Sequence, residues 1–172
     1  MYDEKSKKDF YKAATVKLLN QINNLGLSES DKNRAIYFTK LFREIFQYDE
    51  IKKYMFITPK SKIWNLGYDS AGFCRIASVV FSVVMGVKDW QLMCINDNQW
   101  DGNASHHYLK HIPSGKFFDI TYDQFAIDGY EIPYDLGHES VMNLKRGDLP
   151  WKFADALNIN LIEELKKQSK GK

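Results

Sequence analysis

The segment that decides the fold reads SAGFCRIASVVFSVVMG and covers residues 70–86. Its apolar residues lie on most sides of a helical wheel, a pattern typical of a helix that other elements cover nearly all round. The segment therefore predicts a helix that begins near Ser70 or Ala71, runs to Met85 and is stopped by Gly86. We expect it to be the central and most buried helix of the protein.

Two amphipathic helices are predicted on the N-terminal side of this segment. Residues 4–25 place apolar side chains at helical spacing. A second helix is predicted to begin at Ser28, where acidic residues follow a capping hydroxyl, and to continue through Ile51. Pro59 breaks the pattern, so residues 60–70 are expected to form a loop.

A change of hydrophobic period on the C-terminal side predicts a small antiparallel sheet. Three strands are predicted, at residues 90–95, 105–112 and 116–121. The sequence Pro-Ser-Gly at residues 113–115 is typical of a tight turn. Residues 122–149 are expected to be mainly loop with a short helix after Gly137. Pro150 is expected to open a final helix that ends near Lys167.

The length and composition are those of one α+β domain. The chain has 172 residues, of which 44% are hydrophobic, enough for one core and too many for a disordered chain. We expect a helical N-terminal part (1–60), a core of one helix and the strands (64–125), and a C-terminal loop and helix (126–172). The N-terminal helices and the central helix should pack on the small antiparallel sheet.

Charge and hydropathy argue against several classes of protein. The net charge of +2 comes from 24 basic and 22 acidic residues, a balance that does not indicate a nucleic-acid partner. The longest apolar run, residues 76–87, has about 12 residues, too few to cross a bilayer, so no membrane partner is expected. Residues 1–10 lack the apolar segment of a signal peptide. We expect a cytoplasmic protein, or an effector exported without a recognisable signal peptide, of undetermined oligomeric state.

Cys74 has the position of a reactive cysteine. It follows Gly72 and Phe73 near the predicted start of the central helix. The positive end of a helix dipole stabilises a thiolate, and the N–H groups of the first turn can stabilise an oxyanion. A free cysteine is also a common inert core residue, so its position alone leaves both interpretations open.

A histidine and an aspartate on the predicted hairpin supply what a cysteine nucleophile needs. Such a nucleophile requires a base within hydrogen-bonding reach and a third group that orients the base. His106 lies on the second predicted strand and Asp119 on the third, and positions near 107 and 119 are expected to face each other. Adjacent strand residues point to opposite faces, so only one of His106 and His107 is expected to meet Cys74, and the spacing leaves open which.

These positions resemble the motifs of the papain-like and transglutaminase-like superfamily of cysteine enzymes. The motifs are Gly72-Phe73-Cys74-Arg75-Ile76-Ala77, His106-His107-Tyr108 and Phe118-Asp119-Ile120-Thr121. The run DITYDQF at residues 119–125 is similar to the D-x-T-x-x-Q-F run of several bacterial members, including papain-fold toxins and effectors. The resemblance covers residues 64–125 and implies that Cys74 is the nucleophile, His106 the base and Asp119 the orienting acid.

The resemblance also implies a reaction. It is acyl transfer from a peptide or side-chain amide through a thioester, as in a thiol protease, a deamidase or a transglutaminase, with a protein or peptide substrate and no cofactor. The backbone N–H of Cys74 is the first candidate for the oxyanion donor. Trp64, Asn65 and Tyr108 are secondary candidates for oxyanion or substrate binding. The alternative is a catalytically inactive binding domain on the same fold, which the lack of a clear side-chain oxyanion donor would fit.

The other metal-ligating residue types form no recognised metal motif. Cys94 lies in an apolar strand and is interpreted as a core residue. The chain has no C-x-x-C pair and no H-x-x-x-H pair on a predicted helix, so no metal is expected. The two cysteines are too few for a disulfide framework, which favours a reducing compartment.

Overall fold

The secondary structure comes from a computed structural model that describes residues 3–56, 69–102 and 104–170. Within these ranges the protein is α+β, with seven α-helices and one four-stranded antiparallel sheet. The helices are α1 (Glu4–Asn23), α2 (Glu29–Ile45), α3 (Asp49–Met55), α4 (Cys74–Met85), α5 (Asp123–Ala126), α6 (Leu149–Ala156) and α7 (Leu161–Lys170). The strands are β1 (Trp90–Ile95), β2 (His106–His111), β3 (Lys116–Phe118) and β4 (His138–Glu139), in the order β3-β2-β1-β4. None of the helices in these ranges is long and apolar enough to cross a membrane.

The segment that decides the fold forms α4 at the centre of the molecule. Every residue from 76 to 84 is buried, as expected for a helix that is apolar on most sides. It packs on β1 and β2, and also on α2, α6 and α7. Gly86 ends the helix with a φ of 114°. The helix begins at Cys74 and not near Ser70, because the chain turns at Gly72, whose φ is 78°.

The sheet separates two hydrophobic clusters, because successive strand residues point to opposite faces. The main core lies between the sheet and α4, and its strand residues are Trp90, Leu92, Leu109 and Phe118. The smaller cluster lies on the opposite face and consists of Met93, Ile95 and Tyr108, packed against Trp100, Phe117, Ile132 and Tyr134. Residues 117–134, which follow β2, therefore cover most of the sheet face opposite α4.

Two of the predicted helices are each divided in two. The second predicted helix is interrupted between α2 and α3, because Phe46 turns inward to stack on Phe73 and Tyr48 has an extended backbone. The final predicted helix is interrupted between α6 and α7, where Asn158 has a φ of 56°. A left-handed residue cannot continue an α-helix, so the chain changes direction there.

The sheet differs from the prediction at two places. β3 ends at Phe118, and Leu109 pairs with Phe118, so the register is one residue away from the expected pairing of 107 with 119. The residues after Gly137 form β4 and not the short helix that was expected. β4 pairs with β1, and this pairing satisfies backbone groups on an edge that would otherwise be open.

A buried arginine joins the N-terminal helices to the chain after β3. Arg43 on α2 is 2% exposed and donates a hydrogen bond to the carboxylate of Asp123. It also donates to the carbonyl oxygens of Ile120 and Tyr11 and to the hydroxyl of Thr15, each at 3.0 Å. Residues 120–123 are therefore held against α1 and α2 by charge-assisted hydrogen bonds.

Candidate active site

Cys74 occupies the first position of α4 and is partly exposed. Phe73, directly before it, is fully buried and stacks on Phe46 with ring centroids 4.5 Å apart. The backbone N–H of Phe73 donates to the carbonyl oxygen of Ser70 at 3.2 Å. The aromatic core therefore fixes the helix start, and the first-turn N–H groups, which have no intrahelical acceptor, lie beside the sulfur.

His106 and Asp119 form a buried hydrogen-bonded pair. His106 begins β2 and is 0% exposed, and its Nε2 lies 2.5 Å from Oδ2 of Asp119. Oδ1 of Asp119 accepts hydrogen bonds from the N–H and the hydroxyl of Thr121, at 3.0 and 3.2 Å. Oδ2 also accepts from the hydroxyl of Tyr134 at 3.0 Å. Donors on both oxygens hold the carboxylate in one orientation. Because a carboxylate only accepts hydrogen bonds, Nε2 of the imidazole is the donor and carries the proton.

Cys74 and His106 perturb each other in the direction of an ion pair. Burial alone would raise the pKa of the Cys74 thiol, but hydrogen bonds from His106 and His107 and the charge of His106 lower it to about 6. Burial alone would lower the pKa of His106, but the charge and hydrogen bond of Asp119, together with Cys74, raise it to about 10. Both shifts favour a thiolate beside an imidazolium.

Both adjacent histidines contact Cys74, contrary to the expectation that only one would. The side chains of His106 and His107 both lower the pKa of the Cys74 thiol, and the backbone of His107 acts in the same direction. The reason is that α4 begins beside the start of β2, where side chains from either face of the strand can act on the sulfur. Only His106 has the buried carboxylate partner that a general base requires.

Gln124 is a further contact of His106, and it was not predicted from the sequence. Its Nε2 lies 3.2 Å from Nδ1 of His106 and 3.3 Å from the hydroxyl oxygen of Thr121. The next residue, Phe125, places its ring against the imidazole edge to face, with centroids 4.9 Å apart. The segment that contains Asp119 thus contacts the imidazole at both nitrogens and on its ring.

Of the three secondary site candidates, only Tyr108 lies among the described residues. Tyr108 is fully buried and its hydroxyl donates to the carbonyl oxygen of Tyr134 at 2.6 Å, so it packs behind the site. Trp64 and Asn65 lie outside the described residues. Cys94 is buried in β1 opposite His107, and burial raises the pKa of its thiol. Cys74 and Cys94 therefore differ in both exposure and acidity.

A second set of buried polar contacts near the site was not predicted from the sequence. Ser70, four residues before Cys74, donates from its hydroxyl to Oδ2 of Asp123 at 2.9 Å. Asp123 is in turn paired with Arg43. One signal was present: Arg43 follows Phe38, Thr39 and Phe42 at core spacing on an amphipathic helix, where a charged residue needs a buried partner.

The described parts of the chain contain no group of three or more His, Cys, Asp or Glu side chains that could hold a metal ion. No family model matches the chain, and neither a curated protein nor a solved structure is detectably similar to it. The function therefore has to be argued from the geometry of the site itself.

Proposed function

We propose that the protein is a cysteine-dependent acyl-transfer enzyme of the papain-like or transglutaminase-like kind. The observation that supports it most is the placement of one imidazole between two partners. Nε2 of His106 is 2.5 Å from a buried carboxylate oxygen of Asp119, and the partly exposed Cys74 is close enough to raise the pKa of the imidazole. A nucleophile, a base and an orienting acid in this order are what covalent catalysis by a thiol requires.

The proposed reaction begins with the ion pair. The Cys74 thiolate attacks the carbonyl carbon of an amide, and the C=O electron pair moves to oxygen, where the N–H of Cys74 can donate to the oxyanion. When the tetrahedral intermediate collapses, Nδ1–H of His106 gives its proton to the departing amine and a thioester remains on Cys74. Water or a second amine then loses a proton to His106 as it attacks the thioester, and the thiolate leaves. Asp119 orients the ring throughout.

The identity of the acyl acceptor separates three activities. Water acting on a peptide thioester gives a protease, water acting on a glutamine side chain gives a deamidase, and a lysine amine gives a transglutaminase. The same three residues support each reaction, so the substrate-binding surface decides among them. The substrate class common to all three is a protein or peptide amide.

Trapping of the thioester tests this proposal. We expect a peptide p-nitrophenyl ester, quenched in acid after milliseconds to seconds, to leave one acyl group on the tryptic peptide that contains Cys74. Glutamine-containing peptides, with and without an added alkyl amine, then identify the acceptor. Cys74→Ala is the matched control for chemistry at the sulfur, and Cys94→Ala is the control for loss of an unrelated thiol.

Two results would count against an enzyme. One is acylation that is equally fast in wild type and His106→Ala. The other is acylation that falls on Cys94 as readily as on Cys74. Either result would favour the alternative function, a binding domain in which the three residues no longer act together.

A further inference from the structure

The hydrogen bonds around Thr121 determine how the carboxamide of Gln124 is oriented. The hydroxyl of Thr121 uses its single proton to donate to Oδ1 of Asp119 at 3.2 Å. Its oxygen can therefore act only as an acceptor toward Gln124, and the atom 3.3 Å away has to be the NH2 group of the amide. The same NH2 group is the one 3.2 Å from Nδ1 of His106.

An amide donor at this distance is compatible with only one state of the imidazole. Nε2 of His106 already carries a proton, which it donates to Asp119. If Nδ1 carried a proton as well, two N–H groups would point at each other. The contact with Gln124 therefore belongs to the neutral imidazole, whose Nδ1 lone pair accepts the hydrogen bond.

Nδ1 is also the nitrogen that has to take the proton of Cys74, because Nε2 faces Asp119. Gln124 and the thiol thus compete for one lone pair. We infer that Gln124 is a positioning residue that opposes formation of the Cys74–His106 ion pair: its carboxamide stabilises the neutral imidazole and has to withdraw from Nδ1 when Nδ1 accepts the thiol proton. This inference rests on the proposed function and adds a regulatory contact within the same site.

Loss of the Gln124 amide has an expected direction. Loss of the amide removes a hydrogen bond that stabilises only the neutral imidazole, so it favours the ion pair. Cys74 should become easier to deprotonate, not harder. An ordinary supporting residue would give the opposite effect, because its loss would weaken the ion pair.

The test is the pH dependence of iodoacetamide alkylation at Cys74 in wild type, Gln124→Leu and Gln124→Asn, read by mass spectrometry. Leu has a similar volume without the amide, and Asn keeps the amide but is too short to reach Nδ1. We expect both to move the alkylation midpoint to lower pH by about half a unit to one unit, the size of one neutral hydrogen bond. Gln47→Leu, at an exposed glutamine two residues after the end of α2, is the matched control and should leave the midpoint unchanged.

The charged and titratable groups that face the pair remain the same in every variant, so a shift reports the loss of Gln124. They are Asp119, Tyr134, His107, Tyr108, Cys94 and Arg75. A purely structural role for Gln124 would change the alkylation rate at every pH without moving the midpoint.

The outcomes separate this inference from the proposed function. If the wild-type midpoint moves in His106→Ala but stays in place or rises in Gln124→Leu, Gln124 does not have the inferred role. The proposed enzyme then remains intact. A wild-type midpoint that does not respond to His106→Ala overturns both. A His106-dependent midpoint that falls in both Gln124 variants supports both.

Discussion

Two buried aspartates four residues apart, Asp119 and Asp123, have partners of different chemistry. Asp119 faces His106, which can lose its charge, and through it the partly exposed Cys74. Asp123 faces the guanidinium of Arg43. Burial raises the pKa of Asp123, while the charge of Arg43 and hydrogen bonds from Arg43 and Ser70 act in the opposite direction.

The difference indicates that the two pairs in this short segment have different roles. The Arg43–Asp123 pair holds residues 120–123 against α1 and α2. Asp119 directly precedes the anchored residues but takes no part in their hydrogen bonds with Arg43. We therefore expect substitutions at one pair to change mainly stability and substitutions at the other to change mainly reactivity.

The largest effect on stability is expected from Arg43→Met. It leaves the carboxylate of Asp123 buried without its cationic partner, a change that costs about 3–5 kcal/mol in other proteins. Denaturant unfolding measures the loss. Arg34→Met is the comparison, because Arg34 pairs with Glu164 while it is 40% exposed, and exposed pairs contribute about 0–1 kcal/mol. Equal losses in the two variants would show that Arg43 is not a special anchor.

The next effect distinguishes the two aspartates by reactivity. Asp119→Asn removes the charge that stabilises the imidazolium, so the pKa of the Cys74 thiol should rise by about one to three units. Asp123→Asn should lower stability but leave that pKa near its wild-type value. Alkylation profiles of the two variants, recorded where both are folded, make the comparison. A similar shift in both variants would contradict the proposed difference in role between Asp119 and Asp123.

The fold and the site were predictable where the information is local. The end of α4 at Gly86 and the hairpin turn at residues 113–115 depend on neighbouring residues. The meeting of His106 with Asp119 followed from the same hairpin, although the expected register was wrong by one residue. A small error of register was tolerated because β3 ends before Asp119, whose side chain is then free of the strand alternation.

The rest depended on contacts between distant parts of the chain. Arg43 and Asp123 are 80 residues apart, and only the packing of α2 on the segment after β3 brings them together. β4 has two residues and no periodicity of its own, so its pairing with β1 could not be anticipated. The contact of Gln124 with Nδ1 arises from a four-residue helix whose start was not evident in the sequence.

A smaller effect is expected at the second cysteine. Cys94 is 7% exposed, and burial raises the pKa of its thiol, so iodoacetamide should label Cys74 well before Cys94 at neutral pH. Cys94→Ala should leave the reactivity of Cys74 almost unchanged and cost stability on the order of 1 kcal/mol for the lost packing. Peptide mapping after brief labelling measures the order. Faster labelling of Cys94 would contradict the assignment of Cys74 as the nucleophile.

The smallest effect is expected from Tyr134→Phe. It removes one of the hydrogen bonds to Asp119 and leaves the His106 contact and both Thr121 contacts in place. A single neutral hydrogen bond contributes about 0.5–1.5 kcal/mol, so stability should fall slightly and the alkylation midpoint should move by less than in Asp119→Asn. A shift as large as that of Asp119→Asn would mean that Tyr134, and not the carboxylate, orients the histidine.

The central claim is that Cys74 and His106 form an ion pair, and the most direct test is the pH dependence of Cys74 alkylation in wild type and His106→Ala. The pKa of about 6 predicts a wild-type rate that rises through pH 6 and stays high at neutral pH. In His106→Ala the midpoint should move toward about 8.5, the value of an ordinary thiol. A wild-type midpoint already near the ordinary value, or one that His106→Ala leaves in place, would contradict the account.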